Sequence, residues 1–166
     1  MRWDLPRART MFGGLASEGR AGPGGPRVAM LLPQTYMNES GDSVATARGQ
    51  YRVDLGRVVV IHDEIDLPFG EVQVRTGGGL AGHNGLKSVK QRLGNPDFMR
   101  VRVGVGRPDS SDPEIVSSYV LSRFDKPAGE VRALIERAAE VCDRAIRGAS
   151  PVSAGAGSRL PRTRPR

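Results

Sequence analysis

Arg57 to Ile61 reads R-V-V-V-I, a short β-branched run bounded by Gly56 on one side and the polar cluster His62-Asp63-Glu64 on the other. Such a run is apolar on both faces of a strand, so it needs cover on both, which is the situation of a sheet packed between helices. It is expected to be a central strand. The flanking pattern agrees. R-V-A-M-L-L (27–32) predicts a buried strand stopped by Pro33, which has no amide to donate. A loop follows, Gln34 to Glu39, and then a helix from Ser40 towards Tyr51 with Ser40 as its N-cap. After the turn Leu67-Pro68-Phe69-Gly70, E-V-Q-V-R alternates as a strand with one wetter face. A glycine loop then leads into a helix from Asn84, with Leu86, Val89 and Leu93 on its apolar face, ended by Gly94-Asn95-Pro96. R-V-R-V-G-V (100–105) predicts a strand with both arginines on one face, and Ile115 to Leu121 a short helix.

Pro127 to Ile146 predicts one long helix whose stripe Val131, Leu134, Ile135, Ala138, Val141, Cys142 and Ala145 faces the core, with Gly148 just past its end. Cys142 then reads as a packed core thiol rather than a reactive one. Strands alternating with helices predict an α/β fold: one domain, a mixed sheet covered by helices on both faces. A chain of 166 residues, 38 % of them hydrophobic, supports one modest core and not two. The domain is expected to occupy 1–150, and the arginine-, proline- and glycine-rich 151–166 to be a disordered basic tail. No run approaches the roughly 18 apolar residues of a membrane-spanning helix, and the first ten residues lack the apolar stretch of a secretory signal. A cytoplasmic protein, with no membrane partner, is expected. One cysteine and two histidines exclude an internal disulfide and leave little from which to build a metal site.

The net charge is +7, and its distribution matters more than its sum. The two ends account for all of it, whereas 28–150 is neutral. Within that body, however, Glu71 to Arg107 holds Arg75, Lys87, Lys90, Arg92, Arg100, Arg102 and Arg107 against Glu71 and Asp97. If those elements sit together they make a positive face, suited to a phosphate-bearing partner.

Four groups of residues carry chemistry. His62-Asp63 lies at the carboxyl end of the strongest strand, where α/β proteins place their ligands. Successive side chains on a strand point to opposite faces, so Asp63 is badly placed to orient His62 and needs a histidine from elsewhere. An acidic turn formed by Asp63, Glu64 and Asp66 is the plainer alternative. Gly77-x-Gly79-x-x-Gly82 matches a dinucleotide fingerprint between a strand and a helix, but no acidic residue closes a second strand about twenty positions on. The segment 82–88 is out of register with a phosphate-binding P-loop. What the loop offers is backbone amides at a helix start, fit for a phosphate or an oxyanion, with Asn84 either an N-cap or a ligand group. Finally, Gln34-Thr35-Tyr36-Met37-Asn38 gathers two amides, a hydroxyl and an aromatic ring in one loop, a set that suits a nucleobase or sugar.

In this order and spacing, L-L-P-Q-T-Y-M-N-E-S-G (31–41), V-V-V-I-H-D-E-I-D-L-P-F-G (58–70), G-G-G-L-A-G-H-N-G-L-K-S (77–88) and F-M-R-V-R-V-G-V-G-R-P (98–108) resemble the bacterial-type peptidyl-tRNA hydrolase family. The likeness runs from about Phe12 to Arg147. It implies an enzyme of translation that hydrolyses the ester of N-blocked peptidyl-tRNA, releasing peptide and free tRNA. No cofactor and no metal is implied, and a monomer is expected. By the same resemblance Asp63 holds a general-base histidine in its basic form, Asn38 and Asn84 contact substrate, and Tyr36 contacts the tRNA end. Arg75 and Arg102 match the basic positions of a phosphate clamp, in keeping with the positive window.

The family's catalytic histidine stands in an Arg-His-Asn segment that follows a strand ending in Asn-Pro-Gly, and neither motif occurs here. His62 and His83 do not occupy its place, although His83 is a conceivable substitute. The resemblance therefore implies a chain amino-terminally shortened, its first central strand missing, and slow in hydrolysis because a positioned base is worth about 10²–10⁴-fold. The alternatives are a module that holds tRNA acceptor ends without cleaving them, and a dinucleotide-binding domain.

Overall fold

The structure, a computed structural model, describes residues 3–148. Its elements run β1 (Arg9–Met11), β2 (Gly14–Arg20), β3 (Arg27–Pro33), α1 (Ser40–Tyr51), β4 (Val59–Glu64), β5 (Val72–Thr76), α2 (Asn84–Leu93), β6 (Met99–Gly104), α3 (Pro113–Leu121) and α4 (Ala128–Ile146). The fold is α/β, with its strands in two three-stranded sheets. One is an antiparallel meander β1-β2-β3; the other, ordered β4-β6-β5, is mixed, β4 running parallel to β6 and β5 antiparallel to it. The tail 151–166 lies outside the described residues.

The helices and most strands stand where periodicity places them, within two or three residues. β1 and β2 were not expected. Met11 pairs with Gly14, leaving Phe12-Gly13 as a two-residue turn in which both residues have positive φ, 56° and 68°. That conformation matches the twist of a hairpin but is costly for an aromatic residue. It is held by tertiary contacts: the Phe12 ring packs edge-on against Tyr51 at 5.4 Å, and Ser43 donates to the Phe12 carbonyl at 2.5 Å.

Two expectations are corrected. β4 is an edge strand of its sheet and β6 is the central one. The β-branched run reports what a strand's faces need, not how many neighbours bond its edges, and Ile61 is 53 % exposed. Likewise β3 is not buried, for Leu32 is 61 % exposed; one face of the meander meets α1 and the rest is open. Pro33 is tolerated because it closes an edge strand.

The core sits on the β4-β6-β5 sheet. Leu86 and Val89 of α2 close on Phe98, with Val44, Leu55, Val58, Val60 and Leu93 around them. α4 lies against the same sheet and buries Leu134, Ala138 and Cys142. Burial pushes the Cys142 thiol up, so it stays a neutral packing group. Ile135 of the expected stripe faces outward instead. α1 and α2 are joined where the Gly41 amide donates to Ser88 Oγ at 2.8 Å, which brings the loop before α1 to the first turn of α2.

Candidate active site

Alternation along β4 sends His62 and Glu64 to one side and Asp63 to the other. The register of β4 on β6 places His62 beside Arg102 and Val60 beside Arg100. Arg102 is buried: its Nε donates to Glu64 Oε2 at 3.0 Å and its Nη1 to Gln73 Oε1 at 3.1 Å. Arg100 is buried too, its guanidinium turned to the carbonyls of the glycine loop. The positive window is therefore not all surface; Arg75, Lys87 and Lys90 are exposed, while Arg92 is tied to Asp42.

Asp63 finds the second histidine that strand geometry demanded. His83 Nε2 lies 2.9 Å from Asp63 Oδ1. His83, not Asn84, is the N-cap of α2, and its Nδ1 accepts from the Leu86 amide at 3.2 Å. An accepting Nδ1 puts the ring proton on Nε2, where it is donated to the carboxylate. That donation, more than any other contact, holds the Asp63 carboxyl below the usual carboxylate range. With the cap supplied by His83, the Asn84 side chain is released to solvent at the first helical position.

His62 is held differently. Its Nδ1 lies 2.8 Å from the Asp63 carbonyl and must donate to it, which leaves Nε2 a lone pair, buried and, among the described residues, without a partner. The His62 and His83 rings meet edge to face at 5.1 Å. Burial, before any other cause, lowers the pKa of His62, against the opposing pull of its bond to the Asp63 carbonyl. The sign of the resulting pH dependence follows. Above the unfolded value of 6.5 both states are neutral; as pH falls below it the unfolded chain takes a proton that the folded chain resists, so stability is lost. Thermal unfolding followed between pH 7.5 and pH 5 (roughly the range His titration spans) is expected to show a falling midpoint, and His62→Gln a flatter profile; equal slopes in the two proteins would remove His62 as the cause.

The loop before α1 completes the cluster. Met37–Glu39 form a single 3₁₀ turn against the start of α2, close enough that a Cβ on Gly85 would come within 2.6 Å of Met37 Sδ. Asn38 is exposed in that turn against α2, and Tyr36, 80 % exposed, stands just before it in the chain. Of the residues expected in the site, Asp63 is joined through His83 to the helix start where Asn84 stands, and the turn carrying Asn38 packs on that helix. Arg75 stands apart on β5, exposed, and Arg102 lies beneath the surface in its pairing with Glu64. His62, Glu64 and Arg100 were not singled out as site residues. A buried arginine leaves no mark in a sequence, but the Asp63–His83 pair was within reach: Asp63 needed a distant histidine, and only one exists.

The glycine loop does not look like a dinucleotide cradle, because Arg100 fills its underside and His83 takes one of the helix-start amides. Among the described residues no group of three or more His, Cys, Asp or Glu side chains could hold a metal ion, and no helix is long and apolar enough to cross a membrane.

Residues 2–156 match the sequence model of the family described as peptidyl-tRNA hydrolase. A protein of that name from Beijerinckia indica is 50 % identical over 124 residues, covering 75 % of this chain and 60 % of the relative. One from Geobacillus thermodenitrificans is 41 % identical over 148 residues, with 87 % of this chain and 76 % of the relative covered. The crystal structure of peptidyl-tRNA hydrolase from Acinetobacter baumannii superposes with a TM-score of 0.73 at 32 % identity, over 87 % of this chain and 72 % of that one. This chain thus spans about three fifths to three quarters of the length of these relatives. With residues 2–156 of this chain matching the family's sequence model and 72 % of a solved relative superposed, the chain belongs to the peptidyl-tRNA hydrolase family.

Proposed function

We propose that this protein hydrolyses the ester linking a peptide to the 3′ end of tRNA, and that the Asp63–His83 pair carries the proton. The observation behind this is the 2.9 Å contact between a carboxylate and an imidazole at a helix start, with exposed Asn84 at the first helical position and the turn of exposed Asn38 packed on the same helix. A water attacking the ester carbonyl gives up a proton to His83 Nδ1, which exchanges its long bond to the Leu86 amide for the incoming water. Nε2–H stays on Asp63, whose negative charge stabilises the imidazolium. The tetrahedral oxyanion faces the first-turn amides of α2, which have no acceptor within the helix. Collapse then returns the proton to the ribose oxygen as the leaving group departs. Tyr36 offers a face for the terminal base to stack on, and Asn38 and Asn84 hydrogen-bond the substrate.

Arg75 takes a phosphate directly, and Arg102, held by Glu64, contributes its charge from beneath. Such a protein works in the cytoplasm, in translation, as a monomer. Arg75→Ala is expected to weaken binding of a tRNA acceptor stem and to reduce the salt slope by about 1; an unaltered slope would take Arg75 out of the interface. The reading itself is tested by incubating the 166-residue chain with N-acetylaminoacyl-tRNA and following release of deacylated tRNA. Release that depends on His83 supports it. Tight acceptor-end binding with no release in excess protein would make the protein a binding module instead.

A further inference from the structure

Arg100 is a charged group that the proton chemistry does not use, and it is 2 % exposed. Burying a cation without an anion costs several kcal/mol, so a fold that retains one must satisfy it by other means. The charges around it do not help. Arg102 and Arg75 have the same sign, and Glu64, the acid that faces it, is engaged by Arg102. Compensation comes from backbone dipoles: Nη1 donates to the Gly79 carbonyl at 3.1 Å and Nη2 to the Gly77 carbonyl, while Nε has no acceptor among the described residues.

Those two carbonyls can point at one guanidinium because Gly77 and Gly78 are left-handed, with φ of 64° and 81°. A Cβ on Gly77 would come within 2.9 Å of Asp97 Oδ1. The Gly77 amide is bonded to the Phe98 carbonyl at 3.3 Å, so the start of the loop is stitched to the strand that carries Arg100. From Gly79 only Leu80, Ala81 and Gly82 separate the clamp from His83. The His83 amide donates back to the Leu80 carbonyl at 2.9 Å. Arg100 therefore grips the loop four residues before the Asp63 partner.

We propose that Arg100 is a positioning residue: its buried guanidinium pins the carbonyls of Gly77 and Gly79 and thereby sets where His83 meets Asp63. The planar fork is essential, since a lysine ammonium on a single stem does not reproduce two directed bonds. The inference rests on the hydrolytic reading only for its turnover readout.

The test compares wild type with Arg100→Met and Arg100→Lys, checked for native circular dichroism. Both variants are expected to speed amide hydrogen exchange at Gly77 and His83, the bonded amides at the two ends of the loop, by about tenfold relative to the sheet. Both should also lose the protected His83 Nε2–H proton resonance and lower kcat about tenfold with KM little changed. Unchanged loop exchange and an intact Nε2–H signal in a folded variant would overturn the proposal. So would acceleration spread evenly over β4 and β6, which marks general destabilisation. Rescue of all three readouts by Arg100→Lys would refute the need for a fork. If wild type shows no turnover, the hydrolytic reading fails while the exchange and resonance readouts still decide this one. Should neither variant fold, the guanidinium protons of wild type serve: Arg100 Nη protons exchanging far more slowly than those of exposed Arg75 support the clamp, and equal rates overturn it.

Discussion

Asp63→Asn is expected to lower turnover of peptidyl-tRNA by about 10²–10⁴-fold while leaving acceptor-stem affinity and the unfolding midpoint nearly unchanged. The substitution keeps an oxygen that can accept from His83 Nε2, so the geometry of the pair survives. What disappears is the negative charge that makes an imidazolium worth forming at that place. An amide can also turn its NH₂ towards the ring and select the wrong tautomer. Because the His83 proton holds the Asp63 carboxyl below the usual carboxylate range, the loss of activity on acidification should not follow an ordinary aspartate titration. The carboxylate stays charged until well into the acid range, and any stability it lends is present above its unfolded value of 3.8 and lost as pH falls through the lower folded value. A single-turnover assay with purified Asp63→Asn decides the point, and undiminished release would remove Asp63 from the mechanism. His83→Asn separates the partners: if it keeps full turnover while Asp63→Asn does not, the proton acceptor is not His83.

Glu64→Ala is expected to carry the largest cost in stability, about 3–5 kcal/mol. Both members of the Glu64–Arg102 pair are buried, and the pair lies next to a second buried arginine that has no anion of its own. Removing the carboxylate strands Arg102 beside Arg100, two like charges in a site that water does not reach freely. Glu64→Gln keeps an oxygen for Arg102 Nε and should cost less. Urea unfolding with unchanged m-value gives the difference directly, and a midpoint within error of wild type would mean that the pair contributes nothing. A double variant, Glu64→Leu with Arg102→Met, should be less damaged than Glu64→Ala alone, since neither charge is then left without its partner. The same pairing explains why Arg102 is a poorer phosphate ligand than its match to the family's clamp implies. To reach a phosphate it would have to leave Glu64 and Gln73.

The correct expectations were those that depend on neighbours in the chain. α2 begins at Asn84 because the glycine loop ends there, and stops at Gly94 because that residue adopts the left-handed cap, φ 73°. α4 buries Leu134, Ala138 and Cys142 because those positions recur at helical spacing. The misplaced elements show where such reasoning ends. The β1–β2 hairpin has no such local signal: Phe12 in a left-handed turn contradicts its local preference, and Tyr51 and Ser43, far along the chain, make that turn tolerable. β4 and β6 exchanged roles: a run of valines looks more central than R-V-R-V, yet the arginines are buried because Glu64, Gln73 and two glycine carbonyls satisfy them.

From its letters alone this chain determines an α/β pattern, a helix that starts beside a glycine loop, and a set of residue types that belongs to one family of hydrolases. These depend on periodicity and spacing, which act over a few residues. The tertiary structure alone decided that His83 would in fact close on Asp63, that Asn84 would be freed because His83 caps the helix, and that Arg100 and Arg102 would turn inward. The pairings of Asp63, Arg100 and Arg102 each span twenty residues or more and are settled by which donor finds which acceptor once the sheet has closed.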